Sequence, residues 1–277
     1  MNVNFDLITI KGTNSSDQCT GIVGQMTGGY IHNVALTNIK VSGKSAVGAL
    51  VGQVIGDINY ISQVSLVNPQ EKGWIGGSKY IGGIVGNIQK GTEQSKVELY
   101  LSNCYVNAYI GDHTDSGYVG GIVGRNKNEF ASYVMDVENC YFTGVVDTNY
   151  TYSGGIVGSI DSTSGYITIK YNVSDCLLVL KDSQLDKTST EIGQKNNSPV
   201  VGRFTYVIDL CKLGGNYGPY DEYHAEVNSN YDDFFENIKT ESFWKRAGFV
   251  TDNNSCWTYL GSDDTNAPYC VLTNTIK

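Results

Sequence analysis

The chain is poor in proline, histidine, tryptophan and charge, and it has no long apolar run. Its 277 residues include 4 Pro, 3 His and 3 Trp, and only 17% are charged. The longest apolar stretches, such as Leu177-Leu178-Val179-Leu180, span a few residues, whereas a helical bilayer crossing needs about 20. No membrane span is expected in this chain. Its first ten residues carry no basic segment followed by an apolar one, so no signal peptide is visible. His32, His113 and His224 stand alone, and no HExxH or CxxC occurs, so nothing resembles a paired metal-ligand spacing. There is no GxSxG elbow. No two glycines are separated by a single residue, which removes the dinucleotide fingerprint. Gly43-Lys44-Ser45 ends like a phosphate loop, but Asn38 stands where the earlier glycine is needed, so it reads as a turn. No catalytic residue, cofactor or metal is expected, and the chain is not expected to be an enzyme. The bases are scattered and the net charge is −9. A phosphate-neutralising partner needs a basic stripe, so nucleic acid is not an expected partner.

Glycine is abundant, with 33 residues, well above the usual share of about 7%. Many of these glycines belong to a repeat. Its copies are Thr20-Gly21-Ile22-Val23-Gly24, Gly48-Ala49-Leu50-Val51-Gly52, Gly82-Gly83-Ile84-Val85-Gly86, Gly120-Gly121-Ile122-Val123-Gly124 and Gly154-Gly155-Ile156-Val157-Gly158. Ser198-Pro199-Val200-Val201-Gly202 reads as a decayed sixth copy. The closing glycines Gly24, Gly52, Gly86, Gly124, Gly158 and Gly202 fall 28, 34, 38, 34 and 44 residues apart. A fixed motif at a variable period points to stacked β-coils whose loops differ in length.

A second strand signal lies between the copies. It includes Ile31-His32-Asn33-Val34-Ala35-Leu36, Ile61-Ser62-Gln63-Val64-Ser65-Leu66, Leu101-Ser102-Asn103-Cys104-Tyr105-Val106, Val137-Glu138-Asn139-Cys140-Tyr141-Phe142 and Val173-Ser174-Asp175-Cys176-Leu177-Leu178. The step of two from fourth to sixth position is strand alternation. The fold class that follows is all-β: a parallel β-solenoid of about six irregular coils over residues 1–202. Ile22, Leu50, Ile84, Ile122 and Ile156 are expected to form one inward ladder. Val34, Val64, Cys104, Cys140 and Cys176 are expected to form another, because a slot that accepts Val or Cys is small and apolar. Reduced core thiols are the expected state of that column. Cys256 and Cys270 are candidates for a pair.

The copies of GGIVG followed by the SNCY and ENCYF strands resemble GLUG-motif repeats, over about residues 18–202. Such repeats occur in large bacterial surface and adhesin-like proteins. They also occur in the non-catalytic N-terminal part of some IgA-specific zinc metallopeptidases. The resemblance implies an extracellular or cell-surface module belonging to a longer polypeptide. It also implies a C-terminal tail with the pattern Phe243-Trp244, Gly248, Trp257 and Pro268.

Residues 203–277 are expected to cap the last coil and to carry one short helix. Asp232 and Asp233 suit its start, Gly248 suits its end, and Phe234, Phe235, Ile238, Phe243, Trp244 and Ala247 give a rough stripe. The competing reading is an aromatic sugar-binding platform of Trp244, Trp257 and Tyr269. Tyr80, Tyr118 and Tyr152 precede three GGIVG copies and form a candidate contact stripe. Loops at 68–80, 87–98, 111–118, 125–133 and 182–197 vary most, and recognition of a host glycan or protein is expected there. Two other functions stay open. One is a glycan-active β-helix enzyme, which needs a carboxylate pair on one outer face. Asp221-Glu222, Asp232-Asp233 and Asp263-Asp264 fall in the tail and read as turns or helix starts. The other is an antibody-binding accessory domain of a metallopeptidase.

Overall fold

The fold is described from a computed structural model. It describes residues 3–12, 19–68, 73–89, 96–111, 117–127, 133–148, 153–160, 166–170, 172–174, 177–180, 189–195, 198–201, 205–207, 211–213, 226–227, 239–246, 248–250, 255–260 and 270–273. The chain winds through four parallel sheets in a fixed order, forming a β-solenoid of about four turns. Sheet I stacks Thr9–Lys11, Lys40–Gly43, Trp74–Gly77, Tyr109–Gly111, Val145–Thr148 and Leu177–Leu180. Sheet II stacks Cys19–Thr20, Ala46–Gly48, Tyr80–Gly82, Tyr118–Gly120 and Ser153–Gly154. Sheet III begins Val23–Met26, Val51–Val54, Val85–Gln89, Val123–Lys127 and Val157–Ile160. Sheet IV holds the long strands, from Gly29–Thr37 and Asp57–Val67 to Tyr166–Lys170. Each coil therefore passes through four sheets, where the sequence pattern required at least two strands.

The GGIVG motif is the corner between sheets II and III. Val23, Val51, Val85, Val123 and Val157 lie one above another in register. The preceding Leu50, Ile84, Ile122 and Ile156 are buried in the core, and Ile22 packs against it. The glycines are there for close approach. A Cβ on Gly82 would collide with the Val85 carbonyl, and one on Gly120 with the Val123 carbonyl. A Cβ on Gly86, Gly124 or Gly158 would likewise meet backbone of the neighbouring coil. Only glycine lets the chain fold back this tightly.

The second signal is a bent strand of sheet IV. Asn33, Gln63, Asn103 and Asn139 all take positive φ, between 50° and 60°. They occupy the third position of the pattern and share one register. Asn tolerates this left-handed conformation better than most residues. The bend separates an inward Ile61–Leu101–Val137 column from the Val34–Val64–Cys104–Cys140 column beyond it. Buried asparagines tie coils together at other turns. Asn68 accepts from Ile39 N–H and donates to Ile39 C=O, and Asn172 bridges Cys140 N–H and Val137 C=O.

The count and the ending depart from expectation. Sheet II has five rungs, short of the six coils read from the motif. The sixth rung of sheet III is Ser189–Lys195, with Ile192 over Val157. The sequence reading placed that segment in a variable loop. The decayed copy turns back: Ser198–Val201 pairs antiparallel to it. Pro199 lacks a backbone N–H and favours an edge position. Gly202 lies outside the described residues. Thr205–Val207 and Cys211–Leu213 also add to sheet IV antiparallel, so strands of the solenoid continue past residue 202. Trp74–Gly77, read as loop, is likewise a rung of sheet I.

The tail contains the expected short helix, Glu241–Arg246. Gly248, at φ +77°, ends it, and Phe249 N–H reaches Trp244 C=O at 2.9 Å. Asp232, Asp233, Phe234, Phe235, Ile238 and Ala247 lie outside the described residues. The helix and the hairpin of Trp257–Tyr259 with Cys270–Leu272 do not cover the end of the stack. They pack on the side of sheet IV, over Tyr105, Tyr141 and Val173. The two outward tyrosine rings and Val173 are almost wholly buried beneath the tail, which removes apolar surface from water.

Candidate binding face

Past the bend the outer side of sheet IV is covered by the tail. Before the bend it is more exposed: Tyr30 is exposed, and Tyr60 and Tyr100 are half-buried. Alternation turns every second residue outward, and parallel register stacks equivalent residues. Tyr30, Tyr60, Tyr100 and Asp136 form one outward column, and His32, Ser62, Ser102 and Glu138 form the next. Tyr30 and Tyr60 stack with centroids 4.7 Å apart and planes 2° apart. Tyr60 and Tyr100 stack at 5.0 Å and 15°. Because the rings face one another, the ladder offers its edges and hydroxyls along the sheet. The two end faces of the stack, one of Tyr30 and one of Tyr100, meet no other ring of the ladder; Asp136 follows Tyr100 in the column, and Tyr30 is 79% exposed.

Carboxylates border the ladder. Tyr100 Oη donates to Glu98 Oε2 at 3.1 Å, and Lys96 Nζ pairs with Glu98. Burial pushes the Tyr100 phenol above its ordinary range, and the bond to Glu98 and the charges of Glu98 and Asp136 add to it. Glu98, Asp136 and Glu138 thus share one outer face, although they sit at different repeat positions. His32 Nδ1 and Ser62 Oγ share a hydrogen bond of 2.8 Å. Glu98 is itself buried and ion-paired, and Asp136 Oδ1 is buried, so the groups this face offers a polar ligand are phenol edges, hydroxyls and the half-buried Glu138.

The tyrosines singled out from the sequence sit elsewhere. Tyr80 and Tyr118 are in register on sheet II, with centroids 5.8 Å apart. The Arg125 guanidinium lies 4.6 Å and 4.7 Å from the two centroids. Both rings are half-buried and Arg125 is 9% exposed, so this pair is spent on a cation–π contact between coils. Tyr152 lies outside the described residues. The platform reading is corrected. Trp244 is fully buried and Trp257 is 3% exposed. Their rings pack against Tyr141 and Phe249 in edge-on pairs, and neither ring is open to a sugar. Tyr269 lies outside the described residues.

Cys104 and Cys140 are fully buried in the core, as the Val-or-Cys pattern implied. Their thiols are free and donate to Ser102 C=O and Glu138 C=O. Burial pushes the Cys140 thiol well up, and the neighbouring Cys104 adds to it. Cys176 lies outside the described residues, but the fifth copy, Val173 to Leu178, is out of the expected register: Ile169 stands over Val137, Val173 pairs with Tyr141, and Leu177 and Leu178 pair with Val145 and Val146 in sheet I. Cys256 and Cys270 are free thiols, not a pair. The hairpin register sets Cys270 opposite Tyr259 and brings Thr273 N–H to Cys256 C=O. Burial raises both, Cys256 to about 11.

The Tyr30 ladder escaped the sequence reading. Its signal was present: tyrosine stands three residues before Asn33, Gln63 and Asn103. The position falls just outside the six-residue pattern and holds Asp136 in the next copy, which hid the column. No family model matches the chain, and no match is found among curated proteins or solved structures. The likeness to GLUG-motif repeats rests on the motif residues alone.

Proposed function

We propose that this chain is a non-catalytic β-solenoid module that binds a glycan or protein partner, as part of a larger bacterial surface protein. The observation that carries the reading is the Tyr30–Tyr60–Tyr100 ladder on the outer face of sheet IV, bordered by Glu98, Asp136 and Glu138. The loops remain a second recognition element, since the chain between rungs differs most there. The test is a glycan array and a panel of host surface proteins, probed with the wild type and with Tyr60→Ala, Tyr100→Ala and Tyr80→Ala. A ligand lost on changing Tyr60 or Tyr100, and kept with Tyr80→Ala, supports the reading. Unchanged binding in the Tyr60 and Tyr100 variants, or no ligand at about millimolar concentration, defeats it.

The shared face of Glu98, Asp136 and Glu138 also supports a second reading, a glycan-active enzyme, because it places several carboxylates on one outer face. Turnover of a polysaccharide that Asp136→Asn or Glu98→Gln abolishes, with binding retained, would favour it over the first.

A further inference from the structure

The outer face of sheet I carries the one tryptophan that the tail does not bury. Val41 and Ile75 are wholly buried in the core, so alternation turns Lys40, Ser42, Trp74 and Gly76 outward. The register sets Trp74 beside Lys40 and Gly76 beside Ser42. A Cβ on Gly76 would fall on Cζ3 and Cε3 of the Trp74 ring. The indole therefore occupies the space that this glycine leaves, and it lies down along its own strand instead of standing off the sheet. Trp74 is 36% exposed, whereas Trp244 and Trp257 are buried. A ring laid on a rigid sheet in this way presents apolar surface to a partner without costly reordering on binding.

The same face is cationic, in a chain whose net charge is −9. Lys40, half-buried, stands beside Trp74, and Lys11 stands beside Ser42 in the next column. Lys44 follows the strand Lys40–Gly43, and Lys79 precedes the strand Tyr80–Gly82, so both lie in the turns that leave sheet I on adjacent coils. No ion pair joins any of these four lysines to a described carboxylate. Further along the outer side of sheet I, Asp147 is 2% exposed, so its carboxylate does not offset them at the surface. Uncompensated ammonium groups around an apolar ring select a ligand that is flat and apolar on one side and anionic at its rim.

We infer that the outer face of sheet I around Trp74 binds an acidic sugar, a pyranose bearing a carboxylate, within an oligosaccharide. A pyranose ring has an apolar C–H face that stacks on the indole and a rim of hydroxyls that hydrogen-bond outward. Lys40 and Lys11 supply ammonium donors for the carboxylate, and such charge-assisted bonds are the strong ones. Ser42 adds a hydroxyl between them. Rungs about 4.8 Å apart, with outward residues about 6.6 Å apart along each strand, spread these groups over the footprint of a short oligosaccharide. An acidic peptide would answer the lysines but not the ring, and a neutral sugar would answer the ring but not the lysines. The face is on a different sheet from Tyr30, Tyr60 and Tyr100, and the inference does not rest on that ladder.

The test is titration calorimetry with tryptophan fluorescence on the full chain. The probes are trigalacturonate, a hyaluronan hexasaccharide and sialyllactose as carboxylated sugars, maltohexaose as a neutral one, and polyglutamate as a polyanion without a sugar ring. Because Trp244 and Trp257 are buried, quenching by acrylamide reports on Trp74, and a bound sugar should shield it. At least one carboxylated sugar should bind, with maltohexaose and polyglutamate at least about tenfold weaker. Trp74→Ala should abolish that binding, and Lys40→Gln should weaken it at least about tenfold, both with unchanged circular dichroism. Tyr60→Ala should bind like the wild type. Should Trp74→Ala fold poorly, Lys40→Gln and the quenching of the wild type decide. No binding of any carboxylated probe at about millimolar concentration overturns the inference. So does equal binding of maltohexaose or polyglutamate, or no shielding of Trp74. Binding lost in Tyr60→Ala and kept in Trp74→Ala overturns it too, and leaves the ladder reading standing.

Discussion

The indole Nε1–H of Trp257 donates to Asn103 Oδ1 at 3.0 Å, joining residues 154 positions apart. Asn103 is a left-handed bend residue of sheet IV, and Trp257 belongs to the tail hairpin. The bond fastens the tail to the wall of the solenoid at the point where the wall turns. Removing it while keeping an aromatic ring, by Trp257→Phe, should cost about 1–2 kcal/mol. Trp257→Ala also opens a cavity beside Phe249 and should cost about 3–5 kcal/mol. Denaturant unfolding at a single pH would measure both. Equal small losses would mean that the tail adds little to the stability of the wall.

The motif glycines are not equivalent. On Gly120 a methyl group meets backbone on two sides, while on Gly24 its nearest neighbour is Cys19 C=O at 3.4 Å. Gly120→Ala should therefore cost about 3 kcal/mol or more, or leave little folded protein. Gly24→Ala should stay within about 0.5 kcal/mol. Thermal melts of the two variants make the comparison, and similar Tm values would remove close approach as the reason for the motif.

The bend column predicts a different pattern. Asn139, at φ +50°, should accept Gly with a change of about 1 kcal/mol or less, because glycine adopts this conformation freely. Asn139→Val should lose about 1–2 kcal/mol or more, because a branched Cβ clashes there. Chemical denaturation of the pair decides it. A harmless valine would mean that the bend can relax.

Buried thiols make stability depend on alkaline pH. The folded state holds the Cys140 proton more tightly than the unfolded chain does, because burial raises its pKa. That contribution is complete below the ordinary thiol range and declines as pH rises from there toward the folded-state value. Cys256 acts in the same direction, between about 9 and about 11. Stability should fall as pH is raised above about 9, and less steeply in Cys140→Val. That variant should itself be tolerated near pH 7, since Val34 and Val64 fill the same column. Denaturation midpoints at several pH values would show an unchanged slope if the thiol were not responsible.

Repetition was the part of this protein that its residues stated directly. The GGIVG copies and the Val-or-Cys positions specify stacked parallel rungs with those side chains inside, because backbone spacing and apolar burial admit few alternatives for such a pattern. What lay outside the pattern needed the fold. Ile192-Gly193 continues sheet III, whereas Val200-Val201 turns back, a choice made by pairing with neighbours far along the chain. Trp244 and Trp257 look the same in sequence whether they face solvent or a wall. Their burial depends on Tyr105 and Tyr141 pointing outward at the place where the tail lands. The Tyr30–Tyr60–Tyr100 ladder and the Glu98–Asp136–Glu138 face likewise exist only once register brings separate coils together. Local sequence set the rungs, and long-range register decided which surfaces they share.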